Sequence, residues 1–262
     1  MTPTTTNPPH EVREWAGRTA RWCVVVPVLN EGPRLHRLLA RMVALGIATF
    51  ADVIVVDGGS TDGSVDANHL RSQGVRGVLV KTGPGRLGTQ LRIAYAFALA
   101  EGYEAVVTID GNDKDDPEGV PRVIAALEAG YDLVQASRFL PGGHAEHTPP
   151  LRWAAIRGVH APLLRWRSGF PWTDTTQGFR GYSRQLLADP RVAPFRDVFA
   201  GYELLPYLSY RAPRLGFRCI EVPSRRVYPP GEVPTKIHSL RGHTEVLGAL
   251  LRACAGGYDP LL

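Results

Sequence analysis

Two apolar runs in this chain end abruptly in acids. Val53-Ile-Val-Val is followed by Asp57-Gly-Gly-Ser-Thr-Asp62, and Ala105-Val-Val-Thr-Ile by Asp110-Gly-Asn112-Asp113-Lys114-Asp115-Asp116. Each run reads as a buried parallel strand stopped by a turn. Ligands of open α/β sheets bind outside the carboxyl ends of the strands, so both acidic turns are expected to line one crevice. Acids this crowded repel one another unless a cation or solvent intervenes, and a divalent cation carrying phosphates suits them. Asp110 continues its strand directly and is the first candidate metal ligand. Asp115 and Asp116 read as solvated turn acids. Asp57 also ends its strand and is expected to look into the crevice, while Ser60 or Thr61 caps the next helix. A third turn, Pro27-Val-Leu-Asn30-Glu31, ends the first apolar strand. Proline stops the ladder there and frees the following groups to meet a planar base, unless Asn30 and Glu31 serve only to start the next helix.

The elements that must hold these turns alternate. Trp22 to Leu29 reads as a strand, and Leu35, Leu38, Leu39, Met42 and Leu45 recur at helical spacing after it. Strands over 53–56, 75–81, 105–109 and 133–135 alternate with helices over 64–72, 87–100 and 120–129. This order predicts an α/β fold with a mostly parallel, Rossmann-like sheet covered by helices. A single domain over 21–262 is expected, preceded by a disordered arm over 1–20 whose start is rich in Thr and Pro. Residues 21–140 form its nucleotide-binding half and 141–262 its acceptor half. From Pro141 the pattern becomes irregular, and residues 141–150 read as a mobile loop. The following stretch, with Trp153, Trp166 and Trp172 among arginines and aliphatics, suits either a bilayer interface or core packing with solvated arginines. His144, His147 and His160 lack ligand-like grouping and read as loop or surface residues.

Charge is divided unevenly. The net charge is +5, yet residues 151–262 hold 16 Lys and Arg against 8 Asp and Glu, leaving 14 against 17 for residues 1–150. The basic half could face phosphates or anionic lipid, and no recognised nucleic-acid motif accompanies it. Hydrophobic content of 44% is that of a globular protein, and no run approaches the roughly 18 apolar residues of a membrane span. The first twenty residues lack the apolar core of a signal peptide, which implies a cytoplasmic protein, peripheral at the inner membrane face if the Trp/Arg stretch meets lipid. Cys23, Cys219 and Cys254 are too few and too scattered for a disulfide framework or zinc site.

Taken together, the three turns resemble those of the family-2 glycosyltransferases of the GT-A fold. Pro27 to Glu31 is similar to the family's first-strand motif, Val56 to Gly63 to its second, and Asp110-Gly111-Asn112 stands where a metal-binding Asp-x-Asp triplet belongs. The likeness extends toward dolichyl-phosphate mannose synthase and its polyprenyl-phosphate relatives through Ser137-Arg138…Gly142-Gly143, Asp174-Thr-Thr-Gln177-Gly178-Phe179-Arg180, Arg218 to Pro223, and Arg225-Arg226 with Pro234-Thr-Lys236. Two departures stand out: Gly58 replaces the second acid of the second-strand motif, and Asn112 replaces the triplet's last acid. An amide oxygen still suits Mg²⁺ or Mn²⁺, and Asp113 could restore the lost charge.

The resemblance implies an inverting transfer of a sugar from a UDP- or GDP-sugar. Donor contacts are expected from Pro27, Leu29, Asn30, Glu31, Asp57, Gly58, Asp110, Gly111 and Lys236, and metal contacts from Asp110, Asn112 and Asp113. Arg138, Gln177, Arg180 and Arg225 are the expected acceptor contacts. A hydroxyl acceptor, such as a natural product or glycan, needs a base, for which Glu203, Asp174 and Asp197 are candidates; a polyprenyl phosphate needs mainly cations, Arg138 among them. A nucleotide-sugar-binding protein with weak catalysis is the further alternative that Gly58 and Asn112 raise.

Overall fold

The computed structural model describes residues 7–229 and 240–260, so the expected donor contact Lys236 lies outside the described residues. In chain order the elements are β1 (His10–Glu14), β2 (Trp22–Val28), α1 (Gly32–Ala44), β3 (Ala51–Asp57), α2 (Ala67–Ser72), β4 (Val75–Lys81), α3 (Leu87–Ala100), β5 (Ala105–Thr108), α4 (Val120–Glu128) and β6 (Leu133–Ser137). There follow β7 (His144–Glu146), α5 (Pro150–Ala155), α6 (Ala161–Ser168), β8 (Arg180–Ser183), α7 (Arg184–Ala188), α8 (Leu204–Arg214), β9 (Cys219–Pro223), β10 (Arg225–Val227) and α9 (Leu240–Cys254). A single π-helical turn, Ile156–His160, joins α5 to α6.

The main sheet runs β1-β4-β3-β2-β5-β8-β6-β9. β4, β3, β2 and β5 are parallel neighbours, whereas β1 and β8 are antiparallel to theirs. Alternate residues of each central strand enter two different cores. Val24, Val26, Val53 and Val55 pack with Leu35, Leu38 and Leu39 of α1 and Val123 and Leu127 of α4. Val25, Ile54 and Val56 pack with Leu91 and Tyr95 of α3 and Leu204, Tyr207 and Leu208 of α8. Burial on both faces is why these strands read as unbroken apolar runs. From β2 the chain proceeds to β3 and β4 on one side and to β5 on the other. The switch point of the sheet therefore lies between the ends of β2 and β5, the crevice where ligands of such sheets bind.

Two expectations need correction, and one strand was not anticipated. The arm expected to be disordered over 1–20 supplies β1, which covers the exposed edge of β4. Arg76 on β4 is buried against it, donating to the Ala16 carbonyl at 3.1 Å and pairing with Glu14 and with Glu101 at 2.5 Å. The segment expected as a mobile loop over 141–150 contains β7, which pairs in parallel with β10. The chain after Gln177 inserts β8 between β5 and β6, a rearrangement that local periodicity does not encode because it depends on a partner far along the chain.

Removing residues 1–18 would uncover the β4 edge and strip Arg76 of two of its partners. A thermal midpoint lower by about 5 °C or more is expected, because a buried cation losing its partners is costly. An unchanged midpoint in a melting experiment would refute the contribution of β1.

Candidate active site

The turns after β2, β3 and β5 are tied to one another by backbone bonds. Gly58 N–H donates to the Val28 carbonyl at 2.8 Å, and Gly111 N–H to the Pro27 carbonyl at 3.2 Å. Asn30 adopts the left-handed conformation (φ 49°), which asparagine tolerates. Its N–H reaches Ser60 Oγ and its Oδ1 accepts the Thr61 N–H, both at 2.8 Å, so it braces the second turn instead of capping α1. The cap function passes to Asp62, whose Oδ2 accepts the first helical N–H, that of Gly32, at 3.0 Å. Glu31 is buried and paired with Arg34 at 2.8 Å. Asp57 is buried and accepts the Gly59 and Ser60 N–H groups, a use internal to its turn. Gln90 of α3, which the sequence did not single out, donates to the Val28 and Val56 carbonyls at 2.8 Å and locks the ends of β2 and β3 together. A side chain at Gly58 would meet that amide at 3.2 Å, which accounts for glycine where the family motif has an acid.

Asp110 projects from the end of β5 with its side chain 21% exposed. Gly178 packs so closely that a Cβ there would lie 2.3 Å from Asp110 Oδ1. On its other side Arg226 Nη2 stands 3.5 Å from Oδ2. The acids that follow are not solvated. Asp115 is fully buried and held by Arg226 at 2.6 Å and by Gln177 Nε2 at 2.7 Å. Asp113 and Asp116 turn toward α1, where Arg41 binds both, at 3.1 and 2.6 Å, and Arg37 reaches Asp113 at 3.2 Å. The i, i+4 arginines of α1 were the sequence signal for this arrangement.

Beside Asp110 lies a cluster of cations, Arg226 and Lys114 buried and Arg152 half-buried. Arg226, Lys114 and Arg152 all approach the ring of buried Tyr228, with the Lys114 ammonium 5.2 Å from its centre. Arg152 also donates to the Tyr228 hydroxyl at 3.2 Å. Burial, then the nearby Arg226, brings the Lys114 ammonium down to about 8. Burial would push the Tyr228 phenol up, but Arg226, Arg152, Lys114 and Arg138 outweigh it and bring the phenol down to about 8. Arg138, at the end of β6, is anchored by buried Asp174 at 2.6 Å. Burial opposes the Asp174 charge, and Arg138 nonetheless holds its carboxyl below the usual range. Arg138 Nη1 and Arg226 Nε are buried without a hydrogen-bond partner among the described residues. Buried donors of this kind call for an acceptor, and oxyanions supply the strongest ones.

Several expected site residues are used elsewhere. Asp113 is not available to a metal, because Arg37 and Arg41 hold it. Asp174 is sealed against Arg138 and not placed to take a proton from an acceptor. Gln177 and Arg180 are interior: the first holds Asp115, and the second donates to the Thr175, Gln177 and Leu205 carbonyls and to Ser209. Arg225 is on the surface, paired with Glu146 at 2.6 Å. Asp197 pairs with Arg92. Glu203 precedes α8 and accepts the Gly201 N–H at 2.7 Å. Pro27 is buried, Leu29 exposed, and Gly111 packs so tightly on Val28 that a Cβ would lie 2.4 Å from its methyl carbon. Arg152 and Tyr228 were missed, since they come together only in three dimensions.

Among the described residues no three His, Cys, Asp or Glu side chains are grouped to hold a metal ion. The remaining donors, the Asp110 carboxylate and the Asn112 amide oxygen, fit a cation that arrives on phosphates, the common way magnesium is held. Asn112 Oδ1 accepts the Lys114 N–H at 3.3 Å.

The helix-covered sheet with an aspartate at its switch point has the GT-A fold of glycosyltransferases. The chain belongs to glycosyl transferase family 2, whose pattern matches residues 23–189. It is 29% identical to the polyprenol monophosphomannose synthase of Mycolicibacterium smegmatis, over 78% of this chain and 77% of that protein. With the undecaprenyl-phosphate mannosyltransferase of Micrococcus luteus it shares 31% identity, over 78% and 82% respectively. The glucosyl-3-phosphoglycerate synthase of Mycobacterium tuberculosis, solved with Mn²⁺, UDP-glucose and glycerol 3-phosphate, superposes with a TM-score of 0.62 at 23% identity, covering 89% of this chain and 80% of that one.

His160, expected at the surface, is half-buried in the π turn with Nδ1 2.7 Å from Thr175 Oγ1. Burial, then Arg180, lowers its pKa from 6.5 to about 4. Below pH 6.5 the unfolded chain takes up a proton that the folded protein resists, so stability is full above 6.5 and falls as pH drops toward 4. His160→Gln is expected to flatten this decline in urea-unfolding midpoints between pH 7 and 5; an unchanged slope would assign the pH dependence to other groups.

Proposed function

We propose that this glycosyltransferase moves a sugar from a nucleoside-diphosphate donor, UDP- or GDP-linked, to a polyprenyl phosphate by single displacement with inversion. The observation that carries the reading is the cluster of buried Lys114, Arg138 and Arg226 with half-buried Arg152, and its two N–H groups without a partner among the described residues. A phosphate acceptor is already ionised, so it needs cations that orient and desolvate it and no general base. The names of the Mycolicibacterium and Micrococcus relatives support the same acceptor class.

The turns after β2 and β3 form the floor for the nucleotide, held rigid by Asn30, Asp57 and Gln90. Asp110 and Asn112 would hold Mg²⁺ or Mn²⁺, which when bound spreads the charge of the leaving diphosphate. Arg138, fixed by Asp174, and Arg226, fixed by Asp115, present their remaining donors to phosphate oxygens. Such preorganised cations in a site of low dielectric stabilise charge without reorganising. Lys236 is retained as a diphosphate contact from its motif alone.

Among the described residues no helix is long and apolar enough to cross a membrane. The α5–α6 segment nevertheless exposes Leu151 at 83%, Trp166 at 75% and Trp153 at 48%. Arg167 stacks on Trp166 and Arg157 on Trp153. Indole rings at headgroup depth with guanidinium groups on lipid phosphate fit this face, placing the protein peripherally on the membrane that carries its acceptor. Replacing Leu151, Trp153 and Trp166 together by Ser is expected to abolish sedimentation with anionic vesicles while sparing turnover of a short, water-soluble polyprenyl phosphate. Retained sedimentation would remove this face from consideration.

The main test measures nucleotide released from UDP- and GDP-sugars, with Mn²⁺ or chelator, with and without a short polyprenyl phosphate. Lipid-stimulated release is expected, abolished by Asp110→Ala and spared by Glu203→Gln. Release that ignores the lipid but responds to a hydroxyl acceptor, and is lost in Glu203→Gln, would establish Glu203 as the base of a soluble-acceptor enzyme. The absence of any turnover would favour a nucleotide-sugar-binding protein.

A further inference from the structure

Arg226 approaches two acids with different fates, Asp115 and Asp110. It is buried, and its grip on Asp115 at 2.6 Å is fixed from behind, because Gln177 holds Asp115 at 2.7 Å and reaches Ser224 at 3.1 Å. The β10 backbone also follows the acidic turn: Val227 N–H donates to the Lys114 carbonyl at 2.8 Å and Asp116 N–H to the Arg225 carbonyl at 3.2 Å. Arg226 therefore cannot retreat without breaking the turn. Its other nitrogen, Nη2, stands 3.5 Å from Asp110 Oδ2. Asp110 is packed on its other side by Gly178, where a Cβ would lie 2.3 Å from Oδ1.

We infer that Arg226 is the resident counter-cation of Asp110, so that the divalent ion enters this site only together with the donor diphosphate. This rests on the proposed reading of Asp110 as a metal-holding residue. A divalent ion reaching Asp110 in the nucleotide-free protein meets a fixed guanidinium beside the same carboxylate, with buried Lys114 nearby, and like charges in a poorly solvated place repel strongly. Asp113 and Asp115 are both paired with arginines, and among the described residues no second carboxylate is grouped with Asp110 to offset that repulsion. The diphosphate does offset it, because its oxygens bind the ion and the guanidinium at once. Arg226 thereby acts as a positioning residue that orders assembly of the site.

The readout is Mn²⁺ binding to nucleotide-free protein, followed by electron paramagnetic resonance and calorimetry. Arg226→Met alone leaves Asp115 buried and unpaired and is expected to destabilise the chain, so the informative variant is R226M/D115N, which removes both charges and keeps an amide to meet Gln177. Its thermal midpoint is checked first. The double variant is expected to bind Mn²⁺ at least about tenfold more tightly than the natural chain. D115N alone, which keeps the guanidinium, is expected to show no gain. Equal affinity of the natural chain and the double variant overturns the inference, as does a gain in D115N alone. Adding D110N to the double variant is expected to erase the gain; a gain that survives it instead refutes Asp110 as the metal-holding residue.

Discussion

The buried ion pair between Arg226 and Asp115 is the constraint around which the site is arranged. Two charges withdrawn from water are tolerated only with close, multiply bonded geometry, here two contacts from one guanidinium nitrogen and a further bond from Gln177. That requirement draws β10 onto the acidic turn, and β7 follows through its pairing with β10. The turn after β5 is thereby held by β10 from one side and by the α1 arginines from the other. Asp110 is the member of the acidic run left partly exposed between them.

The same logic of paired burial recurs across the crevice. Asp174 fixes Arg138 as Asp115 fixes Arg226, and each arginine keeps one buried N–H without a partner among the described residues. An anchored guanidinium loses less side-chain entropy when it meets an oxyanion, and its fork has a definite direction. Tyr228 fills the space between Lys114, Arg152 and Arg226 with a π-face, which lets three cations share one neighbourhood.

Around the turns after β2 and β3 rigidity comes from side chains that bond to the backbone. Gln90 ties two strand ends, Asn30 spans two turns and Asp62 caps the helix of a neighbouring loop. These bonds join the ends of β2 and β3 beside the switch point between β2 and β5, where the reversal of strand order leaves a crevice. Two kinds of support thus meet at Asp110, one built on backbone amides and the other on fixed charges.

The sequence by itself determined the alternation of strands and helices, the acidic turns at strand ends and membership of the fold class. Each of these is local: apolar runs of strand length, helical spacing from Leu35 to Met42, and glycines and acids where strands stop. It also placed Asp110 correctly at the end of β5. Only the tertiary structure decided which charges are free. Asp113, Asp115 and Asp116 are alike in sequence, but their partners, Arg37, Arg41 and Arg226, lie about seventy to more than a hundred positions away. Gln177 and Arg180 carry a motif that looks like an acceptor site and are spent inside the protein, whereas Arg152 and Tyr228 carry none and line the cluster. Long-range pairing of charge depends on how β8 and β10 cross the sheet, and that crossing is fixed by the packed whole.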